Sequence, residues 1–168
     1  MPFLDKPAEM WLDVFSIDWR CSLSKSVRVR VWDSTRTKIL LVFEGGGKEI
    51  NTGERAFIKG DGCGLPGGRL EPDEDPLVGA HRELIEETGY DADIVPEPFR
   101  EERKSDVNHT VLAFNAYNPR RVEEHIRDPH VVGVEWVPQR LAFTSRNHKG
   151  KIYPIYRSHE PLIQYWEP

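Results

Sequence analysis

Three glutamates, Glu83, Glu86 and Glu87, follow a glycine turn in the stretch that runs from Leu65 to Tyr90. On a helix turning about 100° per residue, Glu86 and Glu87 fall roughly 60° and 40° to either side of Glu83. Like charges in so narrow an arc repel, and a helix gains nothing from that arrangement alone. A hard divalent cation relieves the repulsion, because Mg²⁺ prefers carboxylate oxygens, retained waters and substrate phosphates. The pattern reads as a metal site.

The neighbouring residues are of types that would hold such a site in place. In Leu65-Pro66-Gly67-Gly68 the paired glycines allow backbone to approach an ion or a phosphate closely. Asp75 followed by Pro76 predicts a helix with these residues as N-cap and first helical position. Gly89 predicts its left-handed stop. Between them Leu77, Ala80, Leu84 and Thr88, extended by Val78 and Ile85, form one face, with the acidic arc expected on the opposite side. His81 falls within the apolar arc and reads as a packed, hydrogen-bonded histidine, not a ligand. Gly79 is a poor helix former on the carboxylate side, where it leaves room for substrate or a neighbouring loop.

Gly68, Glu74, Arg82, Glu83, Leu84, Glu86, Glu87 and Gly89 together resemble the Nudix box, the defining motif of the Nudix hydrolase family. Tyr90 is the one departure, an aromatic where an aliphatic is usual, and it should still serve as a buried plug. An isolated Glu-x-x-Glu-Glu is ordinarily solvated helix surface; the glycine turn, Glu74 and Arg82 in register outweigh that reading. The resemblance implies an α/β (α+β) fold, an α/β/α sandwich around a mixed sheet. It implies hydrolysis of a phosphoanhydride in a nucleoside diphosphate linked to another group, with Mg²⁺ as cofactor and Mn²⁺ as a substitute. By carry-over, Glu83, Glu86, Glu87 and the backbone carbonyl of Gly67 are the metal ligands, and Glu74 serves a further metal or orders the ligands from behind. Arg82 orients the carboxylates, although a plain pair with Glu86 at i,i+4 would explain it as surface. Gly68 and Arg69 are the substrate-binding candidates. The general base is Glu83, or an acid in the loop before the last strand, where Glu124 ranks ahead of Glu123 and Asp128.

A chain of 168 residues with 30% charged and 38% apolar residues fits one globular domain spanning residues 1–168. No apolar run reaches membrane-spanning length and no signal-peptide pattern opens the chain. Cys21 and Cys63 lack metal-type spacing, so a reducing cytoplasmic setting is the default and Cys63 reads as a small packed residue. A net charge of −5 argues against broad nucleic-acid binding. It also means that a polyanionic substrate needs bound cations to neutralise the site. Arg28, Arg30 and Lys59 are further basic candidates for phosphate, most of them read as surface charges.

Val27 to Asp33 alternates apolar with basic and reads as a half-buried strand; Lys38 to Phe43 reads as a more apolar one after a turn at Asp33–Thr37. Residues 45–62 read as a long loop, Ile94 to Glu102 as an extended stretch, His109–Tyr117 and Val131–Val137 as strands, and Glu160–Trp166 as a terminal helix. Residues 1–26 form an N-terminal extension in which Trp11, Phe15 and Trp19 suit a helix and Trp11, Asp13, Phe15 and Ile17 a strand. Its expected role is packing or a homodimer contact.

The proline usual in ADP-ribose-specific members is missing near Asp106, and the tyrosine usual in diadenosine-polyphosphate members is missing near Val107 and Asn108; no coenzyme A signature precedes the box. A nucleoside triphosphate or related small nucleotide is the remaining expectation, with Phe57, Tyr117 or Trp136 as aromatic partners for a base. The alternatives are a non-catalytic nucleotide-binding or regulatory Nudix domain, an RNA 5′-end pyrophosphohydrolase, and an isoprenoid-diphosphate isomerase. The last relies on a reactive cysteine and an altered box.

Overall fold

In a computed structural model, residues 24–44, 62–104, 108–126, 128–142 and 155–164 are described. In order they form β1 (Ser24–Val31), β2 (Lys38–Glu44), β3 (Gly62–Gly64), α1 (Pro76–Thr88), β4 (Tyr90–Ile94), β5 (Arg100–Lys104), β6 (His109–Arg121), β7 (Val131–Pro138), α2 (Gln139–Ala142) and α3 (Glu160–Gln164). The readings of residues 1–23 and of the 45–61 loop, with Cys21, Phe57, Lys59 and Asp106, fall outside these residues.

The long strand β6 organises a mixed sheet. β1 runs parallel to it, while β4 and β5 pair with it antiparallel. A second, antiparallel sheet has the order β3-β2-β7. Val27, Val29 and Val31 pack with Leu40, Phe114 and Ala116 against Ala80 and Leu84 of α1. Ile39, Leu41, Cys63 and Leu65 belong to a separate core with Leu162 and Ile163 of α3. Two apolar clusters, each closed by a helix, give the α/β/α layering expected.

The helix expected from Asp75 and Gly89 is present with both caps. The Asp75 carboxylate accepts from the Leu77 and Val78 amides at 2.9 and 3.3 Å. Gly89 has φ 71°, and its amide donates to Ile85 at 2.8 Å. Two parts of the face assignment need correction. Val78 is 60% exposed, because one step round from Leu77 carries it out of the interface. Glu87 is not opposite the apolar face; at i+3 from Leu84 it abuts that face and is only 7% exposed. Gly79 faces a neighbouring loop, since a Cβ there would meet Leu70 at 2.2 Å. His81 is hydrogen-bonded, to Asp91 at 2.7 Å, but it sits at the surface and not in the core.

The strands differ from expectation where side chains are polar. β1 starts at Ser24, so residues 24–26 belong to the sheet and not to a flanking extension. Arg30 is 1% exposed where alternation suggested a surface charge. Its guanidinium donates to Asn115 Oδ1 and to the Leu162 carbonyl, and lies 4.1 Å from the Phe99 ring centre. Burial is tolerable because the planar group is hydrogen-bonded and stacked. Tyr90 opens strand β4 and meets Trp136 edge-on at 5.9 Å.

Candidate active site

The glycine turn is held on β1 as if it were another strand. Amides of Val29 and Val27 donate to the carbonyls of Pro66 and Gly68 at 2.8 and 2.9 Å, and the Leu70 amide donates to Lys25 at 2.9 Å. Between the two bonded carbonyls Gly67 adopts φ 139°, and a Cβ there would lie 2.2 Å from the Val27 carbonyl oxygen. Only glycine suits that backbone. The Gly67 amide points at α1 and donates to Glu87 Oε2 at 2.7 Å. A Cβ on Gly68 would lie 2.5 Å from both oxygens of Glu83. The turn is therefore a cradle for these two carboxylates.

Arg82 holds the acidic group together. Its Nε and Nη2 donate to the two oxygens of Glu74, each at 2.9 Å, and its Nη1 donates to Glu83 at 2.9 Å and Glu86 at 3.1 Å. The fork on Glu74, together with the Glu71 amide, depresses the Glu74 carboxyl to a pKa of about 2. A network with bidentate geometry is worth more than the isolated i,i+4 pair that the spacing alone allowed.

Glu83 and Glu87 differ from Glu74. Burial raises the Glu83 pKa despite Arg82. Burial pushes Glu87 up to about 8, with Glu83 and Glu44 adding to the rise and the Gly67 amide and Arg28 opposing it. A carboxylate kept beside other carboxylates in a half-closed cleft lacks positive charge. Both line a cavity of about 480 Å³ with Gly67, Gly68, Arg69, Arg28, Glu44 and Asp128. A smaller cavity of about 220 Å³ adjoins Glu87, where Arg28, Tyr156 and His159 enter.

The turn and helix thus bring together Gly67, Gly68, Arg69, Glu83 and Glu87. They do not bring Glu86 in to the same degree: its side chain is 51% exposed and engaged with Arg82. Glu124 is exposed and does not line the cleft, and the same holds for Glu123; Asp128 does line it. The reason is tertiary, because the Asp128 amide donates to the Glu86 carbonyl at 3.0 Å and ties that end of the loop to α1. Tyr117 and Trp136 are partly buried, packed against the two cores, and do not line this cleft. Sequence reading missed Glu44, His109, His130, Tyr156 and His159, which lie far from the motif and carry no spacing signal.

Among the described residues, no three His, Cys, Asp or Glu side chains already form a cation-holding group. The donors present nevertheless fit Mg²⁺, which is commonly held by one or two carboxylates with the remaining positions left to water and substrate phosphate. Glu83 and Glu87 are hard oxygen donors on one wall, and the carbonyls flanking that of Gly67 are already engaged with β1.

A mixed-sheet sandwich with a glycine-cradled carboxylate pair on its central helix defines a class of phosphoanhydride hydrolases. Residues 26–158 match the family model described as NUDIX domain, and the chain belongs to that family as a Nudix-type hydrolase. The fold is similar to MutT of Aliivibrio salmonicida and Vibrio cholerae (16% identity, 84% of this chain and 94% of that one, TM-score 0.58). It is also similar to MutT of Bacillus halodurans (16% identity, 85% and 81%, TM-score 0.58) and to an ADP compounds hydrolase (17% identity, 68% and 57%, TM-score 0.52). No curated protein matches the chain. Among the described residues no helix is long and apolar enough to cross a membrane.

Proposed function

We propose that this chain is a Mg²⁺-dependent pyrophosphohydrolase that cleaves a phosphoanhydride in a nucleoside diphosphate linked to another moiety. Nucleoside triphosphates or related small nucleotides are its preferred substrates. The observation that carries the reading is the buried Glu87, held by the Gly67 amide at 2.7 Å beside Glu83 and facing a ligand-sized cleft.

In this reading Glu83, Glu87, the Gly67 carbonyl and, after rotation away from Arg82, Glu86 would hold the ion. The bound cation would supply charge neutralisation at phosphorus and a more acidic water. Arg82 keeps Glu83 oriented and uses Glu74 as its own anchor, which makes both positioning residues. Gly68 lets substrate phosphate approach backbone, and Arg69, exposed at the mouth of the cleft, supplies positive charge. Glu83 is the first candidate for the base and Asp128 the second, since Asp128 lines the cleft and Glu123 and Glu124 do not. We read residues 1–168 as one domain acting in the cytoplasm, with the N-terminal extension that precedes β1 serving in packing or a homodimer contact.

The test is phosphate release from a nucleotide panel coupled to pyrophosphatase or phosphatase, with Mg²⁺, with Mn²⁺ and with a chelator. Metal-dependent turnover of one class is expected, with Glu87→Gln losing at least about 10²-fold in kcat while staying folded. Turnover that survives thorough chelation, or wild-type kcat in Glu87→Gln, would refute the reading.

A further inference from the structure

Besides the carboxylates, the same cleft is lined by a second polar group built from β1, the glycine turn and the start of β6. The parallel register sets Ser24 beside His109. Ser24 Oγ then lies 2.7 Å from His109 Nδ1, and Ser26 Oγ lies 2.9 Å from Nε2. An isolated bridge pairs Ser26 with Arg69, so the guanidinium-bearing residue after the turn adjoins this group. Ser26, His109, Arg69 and Arg28 all line the cavity of about 480 Å³.

Counting protons shows what the group offers. Burial lowers the His109 pKa first, and Lys104, Arg69 and Arg28 lower it further, so the ring is neutral at neutral pH. Two hydroxyls and a neutral imidazole carry three hydrogen-bonding protons between them. The two contacts to the ring consume two. The third belongs to whichever serine accepts from the imidazole: Ser26, 4% exposed and on the cleft wall, when Nε2 carries the ring proton, and Ser24 when Nδ1 carries it. A left-over donor beside two arginines suits an anion. With Nε2 protonated the ring cannot take the Ser26 proton, and no carboxylate contacts Nδ1 to favour the opposite tautomer, so the pair is read as a binding group and not as an activated nucleophile.

We infer that Ser26, His109 and Arg69 form an anion subsite for a substrate phosphate other than the one held at the carboxylates. The enzyme therefore favours linear chains of at least three phosphates over diphosphate diesters. The inference rests on the hydrolase reading for its substrate class, while the subsite itself does not need turnover. One anion cannot satisfy a metal-dependent carboxylate pole and a cationic hydroxyl-imidazole pole at once, and a polyphosphate chain can reach both.

Two measurements on the full chain test this separately from the catalytic reading. In the first, inorganic phosphate is titrated into the chelated protein while the His109 ring nitrogens are followed by NMR. A saturable shift is expected, weakened several-fold in Arg69→Gln, whose exposed position leaves folding intact, and in Ser26→Ala. In the second, KM is compared for a nucleoside triphosphate and a nucleotide sugar with Mg²⁺. Each variant should raise KM for the triphosphate by about tenfold, and clearly less for the sugar diester. A His109 ring that ignores phosphate, equal KM changes for both classes, or a wild-type preference for the diester would overturn the subsite. A phosphate response without Mg²⁺-dependent turnover of any panel member would instead sink the hydrolase reading and spare the subsite.

Discussion

Gly68→Ala should separate catalysis from stability at a single methyl group. The Cβ would stand 2.5 Å from Glu83 Oε1 and Oε2 and 2.6 Å from Cδ. To regain ordinary contact the carboxylate must withdraw by about 1 Å. Gly68 is not among the glycines with positive φ, so alanine adds no backbone strain, and what it meets is the end of a flexible side chain. The fold should lose less than about 1 kcal/mol, or roughly 2–4 °C in Tm for a domain of this size. Catalysis should suffer far more. A carboxylate displaced by about 1 Å can cost on the order of 10²-fold in rate, and the shift also disturbs the 2.9 Å bond from Arg82 Nη1. Gly67→Ala is the control, because its Cβ would meet backbone at Val27 from a φ of 139° and should lower Tm sharply. The assay is kcat on the best nucleotide of the panel, beside thermal unfolding of the chelated protein. Near-wild-type kcat in Gly68→Ala, or a Tm loss as large as that of Gly67→Ala, would show that the turn does not cradle Glu83.

Other expectations concern the acid face, the thiols and the buried histidine. Arg82→Lys cannot reproduce the fork on Glu74 while also reaching Glu83 and Glu86, so kcat should fall by about tenfold or more; unchanged kinetics would reduce Arg82 to a surface charge. Cys63 is fully buried and its thiol is pushed up to about 12 by burial, with Glu135 adding to the rise. Cys63→Ala should keep hydrolase activity, and a thiol reagent should react with no more than one of the two cysteines before unfolding; loss of activity would reopen a cysteine-dependent mechanism. His159 is held down to about 3 by burial first and by Arg28 and Lys104 next. As its folded pKa lies below the unfolded value of 6.5, the unfolded chain binds the extra proton between about pH 6.5 and 3. Its stability contribution is complete above that window and is lost as pH falls, by at most about 1.4 kcal/mol per unit. The gap in urea midpoint between wild type and His159→Gln should be wider at pH 7.5 than at pH 5.5; parallel pH profiles would argue against a buried neutral ring.

What could be read ahead of the structure was local. Asp75, Pro76 and Gly89 specify the ends of α1 through hydrogen bonds spanning a few residues, and both ends are where the sequence placed them. The spacing of the glutamates likewise located their helix. What escaped depended on partners distant in sequence. Arg30 looked like a surface charge until Asn115, the Leu162 carbonyl and Phe99 surrounded it. Strand β4, Tyr-Asp-Ala-Asp-Ile, has poor strand composition; its aspartates are engaged by His81 and by Arg120 from β6. Among the loop acids the sequence favours Glu124 over Asp128, and the order is reversed because an amide bond to the Glu86 carbonyl puts Asp128 on the cleft.

The charge balance of the acidic group argues for an external cation more strongly than the count of glutamates does. Glu74, Glu83, Glu86 and Glu87 face Arg82 and, from the β1 side, Arg28. If Glu74 is set against Arg82, the fork satisfies that arginine with a carboxylate that does not line the cleft. Glu83 and Glu86 then receive only its remaining edge. Arg28 offsets part of the charge of Glu87, yet it divides its donors between His159 at 2.9 Å and the Val27 carbonyl at 2.7 Å. Glu44 adds a further negative charge to both cavities. Protonating Glu87 is one way for the folded chain to tolerate this, as its raised pKa indicates. Binding a divalent ion is the other, and it restores the ionised form at neutral pH. Ion binding should therefore release protons from the chain. Calorimetric titration of the chelator-stripped protein with Mg²⁺ in buffers of different ionisation enthalpy measures that release directly. An apparent enthalpy that does not change with buffer would show that Glu87 was already ionised, and would remove the electrostatic argument for its role.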